Sequence, residues 1–217
     1  MDTSVSTPKT PSTPNSKKVF SPVTVASSPV SKICQKGNLT GLPRNVRDLI
    51  AEFYSLLQSW ESHHLEGTVV ITKITSLNLF EGSKRDYNLD GKLQAFCDLL
   101  EQVYLELNKV VQMMTRVKRE LEVMSNLADV RQKNYDLPES PMFLTWPFSK
   151  FVETVAFITN YYQQEVDVRR MVVEKVGLSQ DLSEYYFYEA CWTQQPMLFQ
   201  DVITLKIEAA LLETGLR

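Results

Sequence analysis

Residues 92–134, KLQAFCDLLEQVYLELNKVVQMMTRVKRELEVMSNLADVRQKN, decide the fold. Leu93, Phe96, Leu100, Val103, Leu107, Val110, Met114, Val117, Leu121, Met124 and Ala128 alternate in steps of three and four without a slip. No glycine or proline falls between Gly91 and Pro138. A mean step of about 3.5 is the period of one helical face kept turned toward a partner. The stretch therefore reads as one helix, roughly 65 Å long at ~1.5 Å per residue. A small domain is only about 30 Å wide. Such a helix must lie along other long helices, supplied by this chain or by another.

The heptad positions say more. With Leu93, Leu100, Leu107, Met114, Leu121 and Ala128 at position a, Phe96, Val103, Val110, Val117 and Met124 fall at d. Unbranched residues at a with β-branched residues at d lean away from a two-stranded zipper and toward larger bundles. Cys97, Leu99, Tyr104, Val111 and Met113 widen the apolar stripe in the first half, whereas Lys118, Glu120 and Ser125 narrow it in the second. The first half reads as surrounded by helices and the second as one seam. Two arrangements remain: an intramolecular antiparallel bundle, or a seam filled by another chain. A first helix over only 43–65 would leave 115–134 uncovered. Met114, Val117, Leu121 and Met124, within residues 114–128, are therefore the expected partner contacts.

The fold class expected is all-α: long heptad-patterned helices, a helical hairpin or coiled-coil-like bundle, with a C-terminal helical subdomain and a disordered N-terminal tail. Three regions follow, at 1–41, 42–136 and 137–217. Residues 1–41 hold five of the ten prolines, are crowded with Ser and Thr, and carry a charge of +4, so residues 42–217 carry −7. Such a segment buries too little apolar area to offset its ordering entropy. Thr7, Thr10, Thr13, Ser21 and Ser28 each precede proline, the minimal target of proline-directed kinases. Five phosphates would add about −7 to −10 and invert the sign of the tail.

Pro43 suits the first turn of a helix. Val46, Ile50, Phe53, Leu57, Trp60 and His64, with Leu49 and Leu56, form an amphipathic stripe that ends near Gly67. Residues 68–80, TVVITKITSLNLF, are β-branched, yet no other strand is in sight to pair with them, which favours a second helical stretch. Residues 81–91 read as a loop. Beyond Pro138, Thr145 and Pro147 read as a helix start and Phe151, Val155, Ile158, Tyr162, Val166, Val173 and Val176 as a buried face, with Gly177 after its end. Ser179 reads as the next cap, and Leu182, Tyr185, Tyr186, Glu189 and Trp192 follow. Leu198, Val202, Leu205, Ala209 and Leu212 form the stripe of a last helix that stops at Gly215.

Chemistry is sparse. His63 and His64 are neighbours, about 100° apart on a helix, so they do not chelate one metal; one should pack and the other be solvated. There is no C-x-x-C pair, no P-loop and no G-x-G-x-x-G. Cys97 and Cys191 sit among apolar residues and read as core. No catalytic residue, metal site or cofactor is expected. A net charge of −3 argues against direct nucleic-acid binding. No run of eighteen apolar residues suggests a membrane span, and MDTSVSTPKT lacks the apolar core of a signal peptide. Three scattered cysteines, Cys34, Cys97 and Cys191, fit the reducing cytosol or nucleus. Aromatics are dense from Phe143 to Tyr162 and in Tyr185, Tyr186, Phe187, Tyr188 and Trp192. They read either as a thick core or as binding hot spots, and Tyr185 or Tyr188 is expected to be exposed until a partner covers it.

Phe143-Leu144-Thr145-Trp146-Pro147, Trp192-Thr193-Gln194-Gln195-Pro196 and Leu211-Leu212-Glu213-Thr214-Gly215-Leu216-Arg217 form an ordered set of motifs. Together they resemble the cyclin-dependent kinase 2-interacting protein family (CINP) over residues 142–217. The resemblance implies a small non-enzymatic nuclear adaptor, present also in the cytoplasm. It implies partners among cyclin-dependent and origin-firing kinases, ATR checkpoint proteins and a chromatin-linked AAA+ ATPase assembly. That assembly serves replisome turnover and large ribosomal subunit maturation, and there the family member pairs with another small helical subunit. The motif residues themselves read mainly as builders of the C-terminal subdomain, with Trp146 and Trp192 packing across its corner.

Overall fold

A computed structural model describes residues 39–81, 87–133, 140–179 and 181–217, with side chains at all of these except 78–81, 87–90 and 128–133. The tail sites Thr7, Thr10, Thr13, Ser21 and Ser28 and the cysteine Cys34 lie outside the described residues. Five helices follow one another: α1 (Leu42–Glu81), α2 (Tyr87–Lys133), α3 (Phe148–Val176), α4 (Leu182–Gln194) and α5 (Gln200–Thr214). The described part is all-helical and belongs to one compact unit, residues 36–217.

α1, α2 and α3 run alongside one another with alternating direction. Glu52 of α1 pairs with Arg116 of α2, and Lys73 lies 5.7 Å from the Phe96 ring. Rising numbers on α1 therefore meet falling numbers on α2. Likewise the Lys118 ammonium donates to Asn160 Oδ1 at 3.2 Å, while Gly177 faces Cys97 Sγ. α4 and α5 pack on α1 and α3. The buried side chains of all five helices form one core cluster. The boundary expected at 137 thus separates two stretches of chain that share a core.

The first helix is longer than expected. α1 does not stop at Gly67 but runs for 40 residues through the β-branched stretch. Val70, Ile71, Ile74 and Thr75 are buried, and that burial outweighs their modest helix propensity. Thr68, Thr75 and Ser76 place their hydroxyls on the carbonyls of His64, Ile71 and Thr72 in the preceding turn. Gly67 stays in the helix because the Trp192 ring lies where its side chain would be: a Cβ there would overlap the indole. A 40-residue α1 and a 29-residue α3 together cover α2. α2 also begins earlier, at Tyr87, so Gly91 lies in its first turns rather than in a loop.

Two caps differ from expectation. Pro147, not Thr145, is the N-cap of α3, and Asp181, not Ser179, caps α4 by accepting the Ser183 amide at 3.2 Å. Ser179 is buried and turns its hydroxyl back to Lys175. Gly215 ends α5 in the left-handed region, at φ +67°, as a glycine stop requires.

α5 is rotated relative to its expected stripe. Leu198 is buried, but Val202, Leu205 and Leu212 face outward. Ile203, Ile207, Ala210 and Leu211 pack inward instead. The helix carries two apolar faces, and periodicity alone does not choose between them.

Candidate protein-binding surface

The C-terminal motifs meet each other in space. Glu213 sits in the last turn of α5, and its carboxylate accepts the backbone N–H groups of Leu144, Thr145 and Trp146 at 3.2, 2.8 and 3.1 Å. The Thr145 hydroxyl donates to its other oxygen. One side chain thereby satisfies the turn that leads into α3, a task usually left to a local cap. Burial pushes the Glu213 carboxyl upward, but the hydrogen bonds from Thr145, Trp146 and Leu144 outweigh it and hold the group below its usual range. Trp146 packs on Phe151, ring centres 5.2 Å apart, at the start of α3. Trp192 lies far along the bundle against Gly67 and Arg169, so the two tryptophans do not share a corner.

The second motif closes a buried polar cluster. Trp60 Nε1–H donates to Gln195 Oε1 at 2.8 Å. Gln195 holds a left-handed backbone, φ 46°, which turns the chain from α4 toward α5. Glu165 and Arg169, both fully buried on α3, form an ion pair at 2.9 Å. Glu165 also accepts the Met197 amide at 3.0 Å. The Arg169 guanidinium stacks 4.4 Å from the Trp192 ring and approaches His64 Nδ1 at 3.3 Å. Burial and the neighbouring Arg169 pull His64 down to about 4, so the ring is neutral at pH 7. Burial also pulls Arg169 down to about 10 against the attraction of Glu165, whose own carboxyl burial pushes up. Sequence reasoning missed this pair. The available signal was a gap: the buried stripe of α3 passes from Tyr162 and Val166 to Val173, and residues 165 and 169 fill its missing turns. His64 packs while His63 stays partly exposed beside Glu66, the division expected of the two neighbours.

The expected partner contacts are largely internal. Met114, Val117 and Leu121 have no exposed surface in the single chain, because α1 and α3 cover the seam that a shorter first helix would have left open. Only Met124 reaches an opening. With Leu49, Val123, Asn45, Asp48, Arg119 and Glu120 it lines a groove of about 500 Å³ between the start of α1 and the end of α2. Val123 and Leu127 are exposed there. Tyr185 and Tyr188 are also buried, and the Tyr185 hydroxyl donates to Ser179 O at 2.8 Å. The exposed aromatics of α4 are the two between them, Tyr186 and Phe187. Of the motif residues, Pro147 caps α3, while Trp192, Gln195, Leu211 and Thr214 are buried. Pro196 and Leu212 remain at the surface.

These motifs recur elsewhere with the same extent of chain. A frog protein (Xenopus laevis) named cyclin-dependent kinase 2-interacting protein is 24% identical over 198 residues, 84% of this chain and 94% of that protein. The human and bovine proteins of the same name are 26% identical over 191 residues, 80% of this chain and 90% of theirs. The chain is a relative of the cyclin-dependent kinase 2-interacting proteins. No family model matches it. The relatives are named for an interaction rather than for a reaction. In this chain the residues shared in pattern with the family serve as internal ties, Glu213 to Thr145 and Gln195 to Trp60. Burial raises both Cys97 and Cys191, which keeps them as thiols at neutral pH. Among the described residues no group of three His, Cys, Asp or Glu side chains is placed to hold a metal, and no helix is long and apolar enough to cross a membrane.

Proposed function

We propose that the chain is a non-enzymatic adaptor of the cell cycle that binds a cyclin-dependent kinase. The observation that carries this reading is the match, over four fifths or more of the chain, to proteins named for that interaction. The fold supports it: the polar residues of the motifs are spent on internal ties, and the exposed apolar side chains sit on helix surfaces suited to partners. Within this reading the chain acts in the nucleus and also in the cytoplasm. It links cyclin-dependent and origin-firing kinases and ATR checkpoint proteins to a chromatin-associated AAA+ ATPase complex, where it stands beside another small helical subunit. The complex serves replisome turnover and large ribosomal subunit maturation. Purified full-length chain mixed with purified cyclin-dependent kinase 2 and its cyclin should co-elute on gel filtration. Elution of the two as separate species at tens of micromolar would sink the kinase reading. Intact-mass measurement of the tagged chain's native complex tests the ATPase and the helical subunit as components.

The five Ser/Thr-Pro pairs support a second reading, in which the tail is a proline-directed kinase substrate and the helices are its anchor. Deleting residues 1–41 separates the two. Assembly survives under the first reading, and phosphorylation-dependent control is lost under the second.

A further inference from the structure

α5 carries apolar residues on two opposite faces. Ile203, Ile207, Ala210 and Leu211 enter the core, while Val202, Leu205 and Leu212 point the other way, with Ala209 between them. At ~100° per residue the outward set centres about 180° from the buried set. Its spacing of three, four and three is that of a helix–helix seam. Leu205 is 72% exposed and Leu212 56%. A helix that is apolar on all sides is ordinarily enclosed on all sides, and the described residues of this chain enclose only one. The stripe is extended by Phe199, 58% exposed, whose ring packs edge-on against Tyr161 at 5.3 Å. Aromatic residues set firmly at the end of an aliphatic stripe are typical anchors of binding energy.

We propose that this outward face of α5 is a docking seam for one amphipathic helix of a different protein, basic along its edge. The proposal rests on the adaptor reading and names the surface it would use. Charge chooses the occupant. Asp201 and Glu208 line one edge of the stripe, and Lys206 lies on the other, over the Phe157 ring at 4.6 Å. In an antiparallel pair of α5 helices, like edges meet: acid would face acid and lysine would face lysine. In a parallel pair only Lys206 could answer Asp201, and it is already engaged with Phe157. Area argues the same way. The stripe offers on the order of 300 Å² of apolar surface, the size of a meaningful patch on a monomer. A second copy would bring only the same short stripe, whereas a stable interface buries about 800 Å² per partner. A longer foreign helix can also cover Phe199 and the polar edges.

The test uses the full chain and two synthetic 21-residue helices with the same leucine seam, one with lysine edges and one with glutamate edges. Fluorescence anisotropy should show binding of the lysine-edged helix at about 10–100 µM, the weak range expected of so small a contact. The glutamate-edged helix should bind at least tenfold more weakly. Leu205→Glu should abolish binding even though it adds an attractive charge for the lysine helix. Because Leu205 is exposed, the variant should keep the circular dichroism and urea midpoint of the parent. Equal binding of the two helices, or no binding of either, overturns the proposal, as does binding that Leu205→Glu leaves intact. A dimer in light scattering that Leu205→Glu dissolves would assign the face to a second copy and overturn it too. If the helix binds but the kinase does not, the adaptor reading fails alone. If the kinase binds but the helix does not, this seam fails alone.

Discussion

Glu213→Ala should unlock the turn into α3. In the parent, four donors converge on the carboxylate: three consecutive backbone N–H groups and the Thr145 hydroxyl. Hydrogen bonds to a charged acceptor contribute about 1.5–3 kcal/mol each, so full additivity would reach about 6–12 kcal/mol. Additivity fails here, because Leu144 and Thr145 are exposed enough to be rehydrated once the carboxylate is gone. About 3 kcal/mol is the expected loss. At a urea slope of about 2 kcal/mol per molar, that is a midpoint shift of about 1.5 M. Glu213→Gln keeps one oxygen as acceptor but no charge and should lose about half as much. A double-mutant cycle with Thr145→Val should return about 1 kcal/mol of coupling. Since the folded carboxyl lies below its usual range, this stabilisation is present above about pH 4.3 and is lost as pH falls through the lowered value. The Glu213→Ala chain should therefore lose less stability than the parent on acidification. A Glu213→Ala cost under about 0.5 kcal/mol, the level of an ordinary surface change, would refute the clamp.

Leu121→Ala should cost the isolated chain about 2–5 kcal/mol in urea unfolding, since the side chain is fully buried; an unchanged midpoint would mean that the seam is filled by another chain after all. Gly67→Ala should destabilise rather than strengthen α1, by about 1–3 kcal/mol, because Trp192 occupies the space, and a gain in thermal midpoint would contradict that packing. Arg169→Met should cost about 3–5 kcal/mol by stranding Glu165, while the double change with Glu165→Leu should recover most of it, as read by denaturant titration of all three variants. His64 binds its proton less readily folded (about 4) than unfolded (about 6.5), so its contribution to stability declines as pH falls between those values; Glu165, whose carboxyl is raised, works in the opposite sense. Comparing Cm for the parent and His64→Gln at pH 7 and pH 5 isolates the histidine. A parent slope no steeper than that of the variant would reject its role.

Periodicity located the helices because it is a property of one face of one segment. The α2 stripe from Leu100 to Leu121 is buried where the three-four spacing placed it. Gly215 ended α5 because only a residue without a Cβ adopts that backbone freely. What covers a stripe is not local, and there the reading failed. Met114, Val117 and Leu121 were assigned to a partner because Gly67 looked like a terminus, and nothing near residue 67 in sequence tells that Trp192, 125 positions away, needs the missing side chain. Tyr185 and Tyr188 went inward and Tyr186 and Phe187 outward because the rotation of α4 is set by α1 and α3. The chain by itself determined an all-helical protein with a heptad-bearing central helix and a proline-rich tail, since turn period, glycine, proline and charge act over a few residues. Only the tertiary structure decided which of two apolar faces α5 buries. Both faces bury similar hydrophobic area, and the choice rests on packing against α1 and α3 and on four hydrogen bonds between Glu213 and residues nearly seventy positions earlier.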